Sequence, residues 1–143
     1  MIIENVKIHS KKIIVNKKGK ILKYISKEDN FIKKFGEVYF SFIKRNKTKG
    51  WNYHKINKCF LMCVYGEVLV HIIDQRKSCK SYNKEFKLKL LPNKGKVLEM
   101  PPKVYFSLST KKKESIICNF LERPHHKDEA LKVSRVKNYI IKD

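Results

Sequence analysis

Short apolar or alternating runs separated by turn residues dominate the chain, and they predict strands rather than helices. The clearest alternation lies in residues 84–91, where Phe86, Leu88 and Leu90 share one face and lysines occupy the other. A strand with this pattern has one face on a hydrophobic core and one face in water.

Similar runs recur along the sequence. The other predicted strands are residues 12–23, folded as two short strands about an Asn16–Gly19 turn, and residues 37–43, Cys59–Tyr65, 67–73, 97–100, 104–108 and 115–121. We expect Cys59–Tyr65 and residues 67–73 to form a hairpin-like pair broken at Gly66, and residues 92–95 to form a turn. Short helical turns are expected at residues 26–29 and 128–132.

About nine short strands at roughly ten-residue spacing predict an all-β sandwich or jelly roll. The sequence contains no internal repeat, linker or low-complexity segment. We therefore expect one domain over residues 1–143.

The sequence contains no uninterrupted apolar run long enough for a transmembrane helix, and its N-terminus lacks the pattern of a secretory signal. We therefore expect a cytoplasmic protein without a membrane partner. In that compartment cysteines are mostly reduced core residues, and their spacing suggests no zinc site. The four cysteines are Cys59, Cys63, Cys79 and Cys118.

The formal net charge of +21 raises the question of a nucleic-acid partner. Nearly all of this charge is lysine spread along the chain, whereas arginine is the usual residue for bidentate base and phosphate contacts. Solvated lysines on loops and strand edges account for the pattern. Some lysines can also surround the opening of a predicted β-barrel, where they would attract a diphosphate. We therefore expect no nucleic-acid partner. The arginines are Arg45, Arg76, Arg123 and Arg135.

The densest group of candidate functional residues is Lys49, Trp51, Asn52, Tyr53 and His54. Asn52 and His54 are two residues apart, so on a strand their side chains point the same way. An imidazole titrates near neutral pH, which makes His54 a candidate general base; it could equally be a histidine packed against Tyr53 or bonded in a turn.

Other residues are open to two interpretations. Tyr39, Trp51, Tyr53 and Tyr105 can stack on a nucleobase or fill the core. Lys18 and Lys49 can hold a diphosphate or remain solvated. We expect His71 in the core and both His125 and His126 in a surface loop.

Several weak motifs occur in one order. They are Lys18-Gly19, the run from Lys49 to His54, the stretch from Gly66 to Asp74-Gln75-Arg76, Met100-Pro101-Pro102, and the set Asn119, Pro124, His125, Asp128 and Glu129. Together they make residues 14–130 resemble the cupin-fold dTDP-4-dehydrorhamnose 3,5-epimerases and the neighbouring dTDP-4-keto-6-deoxyglucose 3,4-ketoisomerases. The resemblance implies a cupin-type jelly-roll β-barrel and a homodimer.

This chain departs from the family pattern at several positions. The resemblance implies an epimerase base at Asn52, a second histidine near Phe106 and an acid tyrosine near Ile116, and none of these groups is present. The ketoisomerases carry histidines at both the Asn52 and the His54 positions, and here the second remains.

Metal-binding cupins carry two histidines at the Asn52 and His54 spacing, followed by a glutamate. Here Lys58 and Cys59 stand where the glutamate is expected. A charged lysine cannot bind a metal and no carboxylate is present there, so we expect no metal. The isomerisation that the resemblance implies needs no cofactor, so none is expected.

The resemblance implies an isomerase acting on a dTDP-4-keto-6-deoxyhexose in deoxysugar biosynthesis for surface glycans, with 3,4-ketoisomerisation ahead of 3- or 3,5-epimerisation. His54 is expected to move the proton, with Asn52 and Tyr39 as hydrogen-bonding partners. Lys18 and Lys49 are expected to hold the diphosphate, and Trp51, Tyr53 or Tyr105 to contact the base. Two further functions stay open, namely a non-catalytic cupin that binds a sugar nucleotide and a nucleic-acid-binding β-barrel.

Overall fold

The computed structural model describes residues 2–142, which form two facing antiparallel sheets. Sheet I has the strand order β1 (Lys7–Ser10), β9 (Lys96–Met100), β6 (Cys59–Tyr65), β11 (Glu114–Leu121) and β4 (Glu37–Lys44). Sheet II has the order β12 (Ala130–Lys132), β5 (Thr48–His54), β10 (Val104–Ser109), β7 (Val68–Asp74) and β8 (Glu85–Leu90). The predicted all-β jelly-roll class is confirmed, although the ladders of the described residues form two separate sheets rather than a closed barrel.

The chain crosses between the sheets after β6. The predicted hairpin of Cys59–Tyr65 with residues 67–73 is wrong, because β6 pairs with β9 and β11 whereas β7 pairs with β8 and β10. Gly66 lies at the crossing with φ +77°, and a Cβ there would come within 2.2 Å of Ser115 Oγ. Glycine therefore allows the chain to turn from one sheet to the other against β11.

The hydrophobic core lies between the two sheets. It is built from inward residues of both, including Leu61 and Ile117 from sheet I and Val70 and Ile72 from sheet II. The alternation predicted for residues 84–91 is confirmed, since Leu90 is part of this core and Phe86 and Leu88 pack against it.

Smaller hydrophobic layers cover the outer faces of both sheets. On sheet I, Phe60 and Phe120 pack under Tyr24 and Phe31, which follow a hairpin of β2 (Ile13–Asn16) and β3 (Gly19–Leu22). On sheet II, a C-terminal hairpin of β13 (Arg135–Val136) and β14 (Tyr139–Ile140) packs over Trp51.

The two short helical turns predicted from sequence are wrong. The end of residues 128–132 forms β12, whose Ala130 and Lys132 pair with His54 and Asn52. Pairing with β5 satisfies the backbone of this segment and outweighs a weak local helix signal. Residues 26–29 form a reverse turn closed by the bond from Asp29 N to Ser26 O. Among residues 2–142, no helix is long and apolar enough to cross a membrane.

Candidate active site

A cavity of about 280 Å³ opens between the two sheets where β4 and β5 face each other. Its apolar walls come from the core, and its polar groups come from both sheets and from the segment leading into β12. The side chains with polar atoms that line it are Tyr39, Ser41, Lys49, Asn52, His54, Asn119, His125 and Lys132.

From Gly50 to His54, alternation along β5 decides which residues reach this cavity. Gly50, Asn52 and His54 line it, whereas Trp51 packs on the opposite face of the strand. Lys49 also lines the cavity, from the other side of a change in the β5–β10 register. Gly50 has φ +136°, and a Cβ there would come within 2.9 Å of the Phe106 carbonyl oxygen. Glycine thus allows β10 to approach closely at the point where the pairing of β5 with β10 changes register.

His54 forms a buried pair with Glu129. Its Nδ1 lies 2.9 Å from Glu129 Oε2, and both side chains are less than a tenth exposed. Within residues 2–142 the ring's hydrogen bonding involves Nδ1 alone, and the side chain lines the cavity. The second nitrogen, Nε2, is therefore available to a ligand.

The backbone holds the carboxylate of Glu129 in place. Its Oε1 accepts hydrogen bonds from the N–H groups of Asn57 at 2.9 Å and Ile56 at 3.2 Å. Burial alone raises the pKa of Glu129, but the bonds from His54 and these two amides outweigh it and lower the pKa. An ionised carboxylate only accepts hydrogen bonds, so the proton of neutral His54 lies on Nδ1 and the lone pair on Nε2.

Tyr39 faces the cavity from the opposite sheet. Its hydroxyl oxygen accepts a hydrogen bond of 2.8 Å from Nδ2 of Asn119, its cross-strand neighbour on β11. Burial raises the pKa of Tyr39 to about 12, against a smaller lowering by Asn119. The phenol therefore keeps its proton at neutral pH. Because Tyr39 accepts the hydrogen bond from Asn119, its own O–H proton is free to be donated to a ligand.

Asn119 itself is unusual because its carbonyl oxygen, Oδ1, is buried without a hydrogen-bond partner in the described part of the chain. Leaving a buried acceptor unpaired costs about 1–3 kcal/mol. This cost is consistent with a residue kept for its amide contact with Tyr39 rather than for stability.

Cations surround part of the cavity. Lys49 Nζ donates to Ser41 Oγ at 2.8 Å and so links sheet II to sheet I. Lys132 is the partner of Asn52 across the β5–β12 ladder, and the exposed His125 also lines the cavity. This arrangement favours an anionic group on the ligand.

The structure brings four of the eight predicted site residues together, namely Tyr39, Lys49, Asn52 and His54. It does not bring Trp51, Tyr53, Tyr105 or Lys18 to the cavity. Trp51 is 1% exposed and packs with Ile73 and Val136 beneath the C-terminal hairpin.

The other three residues lie elsewhere on the surface. The rings of Tyr53 and Tyr105 pack together with their centroids 4.7 Å apart. They line a separate pocket with Arg76 and Lys103. Lys18 is exposed in the turn between β2 and β3, where its backbone N–H bonds Asn16.

Sequence reasoning gave no role to Glu129 or Asn119. Both residues belong to the motif set around Pro124, and this was the one sequence feature that pointed to them. The motif does not reveal which residues they contact. Asp128, the acidic neighbour of Glu129, is exposed. No cluster of three or more His, Cys, Asp or Glu side chains suited to a metal ion occurs in residues 2–142.

The fold is that of known dTDP-sugar isomerases and epimerases. A dTDP-sugar isomerase from Desulfovibrio desulfuricans G20 superposes with a TM-score of 0.88 at 20% identity, over 92% of this chain and 85% of that one. A dTDP-4-dehydrorhamnose 3,5-epimerase from Sulfolobus tokodaii superposes with a TM-score of 0.82 at 21% identity, over 98% of this chain and 86% of that one. NovW, a 4-keto-6-deoxy sugar epimerase of Streptomyces spheroides, superposes with a TM-score of 0.85 at 15% identity, over 99% of this chain and 75% of NovW.

The resemblance predicted from the motifs is thereby confirmed at the level of the fold. No protein-family model matches the sequence, and no curated protein sequence is significantly similar to it.

Proposed function

We propose that the protein isomerises a nucleotide-linked 4-keto-6-deoxyhexose, most favourably as a 3,4-ketoisomerase acting on a dTDP sugar. The observation that carries this proposal is the buried His54–Glu129 pair, which lies in a cavity that Tyr39 enters from the facing sheet. Structures of the same fold described as a dTDP-sugar isomerase and as 4-keto sugar epimerases support the choice of substrate class.

The first step removes the proton from C3 of the sugar. The 4-keto group acidifies this proton, and Nε2 of His54 takes it while the C–H electrons move through C4 onto the ketone oxygen. The ionised Glu129 then faces an imidazolium and stabilises it. The product of the step is an enediolate with its negative charge on O4.

The second step returns the proton at the neighbouring carbon. The O–H of Tyr39 and the amide of Asn52 stabilise the charge on O4. Transfer of a proton from O3 to O4 and delivery of the His54 proton to C4 yield a C3 ketone and a C4 hydroxyl. Because the proton leaves and returns through one imidazole, no cofactor enters the balance.

The cavity size suits the sugar rather than the whole nucleotide. At about 280 Å³, it lies just below the roughly 300–1,000 Å³ of typical sites for drug-sized ligands. The sugar ring would occupy the cavity, with the diphosphate near Lys49, Lys132 and His125. The predicted diphosphate role of Lys49 fits this arrangement, whereas Lys18 has no place in it.

Tyr39 also favours a second candidate, a 3- or 3,5-epimerase. Tyr39 and His54 belong to opposite sheets. Epimerisation needs a base on one face of the sugar and an acid on the other, and protonation of C3 by Tyr39 would invert that carbon. The two activities differ in product, because one moves the ketone and the other keeps it at C4.

We further propose a homodimer formed through β4. This strand ends sheet I in the described structure, and its outer face exposes Val38, Phe40 and Phe42. An exposed apolar edge strand is stabilised by pairing or burial. We expect light scattering to give a dimer mass, and Phe40→Lys to shift it towards the monomer.

The deciding experiment is proton NMR of dTDP-4-keto-6-deoxyglucose incubated with the protein in deuterated buffer. New 3-keto signals with loss of the C3 proton establish ketoisomerisation, and exchange with an inverted 4-keto product establishes epimerisation. The control is folded His54→Asn protein. Binding of the ligand without exchange at C3 would instead identify a non-catalytic cupin.

A further inference from the structure

A second concave surface lies at one end of the sandwich, apart from the cavity. It is a groove of about 910 Å³ between the β4–β5 turn, the β10–β11 turn and the β6–β7 crossing. None of its lining residues lines the candidate active site. Five cations surround it, and we call it the basic groove: Lys44, Arg45, Lys47, Lys112 and Lys113.

The fold assembles the basic groove from segments that are distant in sequence. The backbone N–H of Arg45 bonds the carbonyl of Lys113 at 3.1 Å, and that of Asn46 bonds the carbonyl of Thr110 at 3.0 Å. These bonds hold the two cationic turns side by side. The sequence shows lysines spread along the chain, whereas the structure gathers several of them at one place.

The five cations have no anionic partners among residues 2–142. In the described range of residues, none of them lies within 4.0 Å of a carboxylate, although Glu114 also lines the groove. Ion pairs of Lys or Arg elsewhere in residues 2–142 are few, such as Lys11 with Asp29 and Arg76 with Asp74, so the groove differs by gathering its cations around one concavity rather than by leaving them unpaired. Five cations against one carboxylate leave an excess of positive charge around one concavity, which attracts a polyanion.

An aromatic ring lies among these cations. Tyr65, at the end of β6, lines the groove and is 60% exposed. An exposed ring beside a cationic surface is the combination that binds single-stranded nucleic acid, since phosphates contact the cations and a base stacks on the ring. A polyanion without planar groups could not use the stacking surface of Tyr65.

We propose that the basic groove binds a single strand of nucleic acid, with its phosphates on the five cations and one base on Tyr65. This departs from the expectation of no nucleic-acid partner, which rested on the spread of lysines in the sequence. Five cations exceed what one nucleoside diphosphate can neutralise, and this favours a strand over a free nucleotide.

The test is fluorescence anisotropy with labelled oligo(dT) 12-mer titrated by the full protein at several salt concentrations. Each phosphate contact contributes about −0.7 to the slope of log K against log salt, so five contacts predict about −3.5. The triple variant Lys44→Gln, Lys47→Gln, Lys112→Gln removes three contacts, and the slope should become shallower, at about −1.4. Tyr65→Ser should weaken binding and leave the slope unchanged.

The matched control is the triple variant Lys17→Gln, Lys20→Gln, Lys23→Gln, which removes the same charge from exposed positions around the β2–β3 hairpin. Circular dichroism establishes that each variant is folded. The proposal is supported if the groove variant loses affinity and salt dependence as predicted while the control binds like the parent protein. It is overturned if the control loses as much affinity as the groove variant, if dTDP displaces the strand at equal phosphate concentration, or if no strand binds at low salt.

Discussion

Two histidine–glutamate pairs lie on opposite faces of sheet II, and they serve different ends. His54 Nδ1 meets Glu129 at 2.9 Å on the inner face, and His71 Nε2 meets Glu85 at 2.6 Å on the outer face. Both histidines are buried residues of central strands, with 7% and 8% of their surface exposed. Neither distance nor burial of the ring distinguishes the two pairs.

Their surroundings distinguish them. The ring of His71 packs edge-on against Trp51 and Tyr139, with ring centroids 5.1 and 4.8 Å apart. The Tyr139 hydroxyl donates a hydrogen bond to Glu85. This pair fastens the C-terminal hairpin to sheet II. The carboxylate of Glu129 is instead held by backbone amides, and the free side of His54 faces a cavity. A paired histidine is available for chemistry only where its second nitrogen meets a ligand.

The largest expected difference between the pairs is kinetic. His54→Asn should lower the rate of enzyme-dependent C3 proton exchange by about 10²- to 10⁴-fold, the usual contribution of a general base. His71→Asn should leave that rate within a few-fold, because its ring contacts no part of the cavity. Deuterium exchange followed by NMR measures both variants. Unchanged turnover in folded His54→Asn protein would remove His54 from the mechanism.

The acid side of the cavity should give the next largest effect. Tyr39→Phe removes one hydrogen-bond donor to the developing oxyanion and should lower kcat by about 10²- to 10³-fold with little change in KM. Tyr53→Phe is the control on the outer face of sheet II. Equal rates for the two phenylalanine variants would show that Tyr39 does not act on the substrate.

Glu129→Gln should have a smaller effect because the base itself remains. We expect a loss of about 10- to 100-fold, the range for carboxylates that orient metal-bound histidines. Since this variant can also destabilise the protein, its unfolding midpoint in urea must be measured alongside. A glutamine that costs stability but no activity would reduce Glu129 to a structural residue.

Acidification should affect the outer pair through stability. Burial, opposed by Glu85, lowers the pKa of His71 below its ordinary 6.5, and the nearby Lys87 and Lys137 add to the lowering. The unfolded state then binds more protons than the folded state, so stability is full above pH 6.5 and is lost as the pH falls through the lowered pKa.

Urea unfolding between pH 7 and 5 measures this effect. His71 should contribute at most one proton to the slope of unfolding free energy against pH in the parent protein, and His71→Gln should remove that contribution. The bond from His71 also lowers the pKa of Glu85, and so further loss is expected below about pH 4.5. A steeper slope in His71→Gln than in the parent would contradict this account.

The smallest expected effect concerns Lys18. Because it lies in an exposed turn away from the cavity, Lys18→Gln should leave KM for the nucleotide sugar unchanged, whereas Lys49→Gln should raise it. Steady-state kinetics at moderate salt compares the two variants, which remove the same charge. An equal rise in KM would point to a general charge effect.

Local pattern predicted much of the fold and part of the site. Alternation placed Phe86, Leu88 and Leu90 on the core, and the two-residue spacing placed Asn52 and His54 on one face. The same periodicity assigns Trp51 and Tyr53 to the other face, so grouping them with the site overrode a signal that the sequence contained.

Other features depend on contacts between distant segments and were not predictable locally. Glu129 is 75 residues from His54 in sequence, and only the pairing of β12 with β5 brings them together. The crossing at Gly66 also depends on which strands β6 and β7 find as partners. The adjacency of Asn119 and Tyr39 likewise follows from strand register.

The chain contains a single tryptophan, Trp51, whose indole Nε1 donates to the Tyr139 carbonyl at 3.2 Å. Its emission spectrum is therefore a built-in optical probe of one event, the seating of the C-terminal hairpin. A red shift should report release of that hairpin before the sheets separate, while ligands entering from the other side of β5 should leave the emission nearly unchanged. One fluorophore can thus separate peripheral fraying from global unfolding without any label.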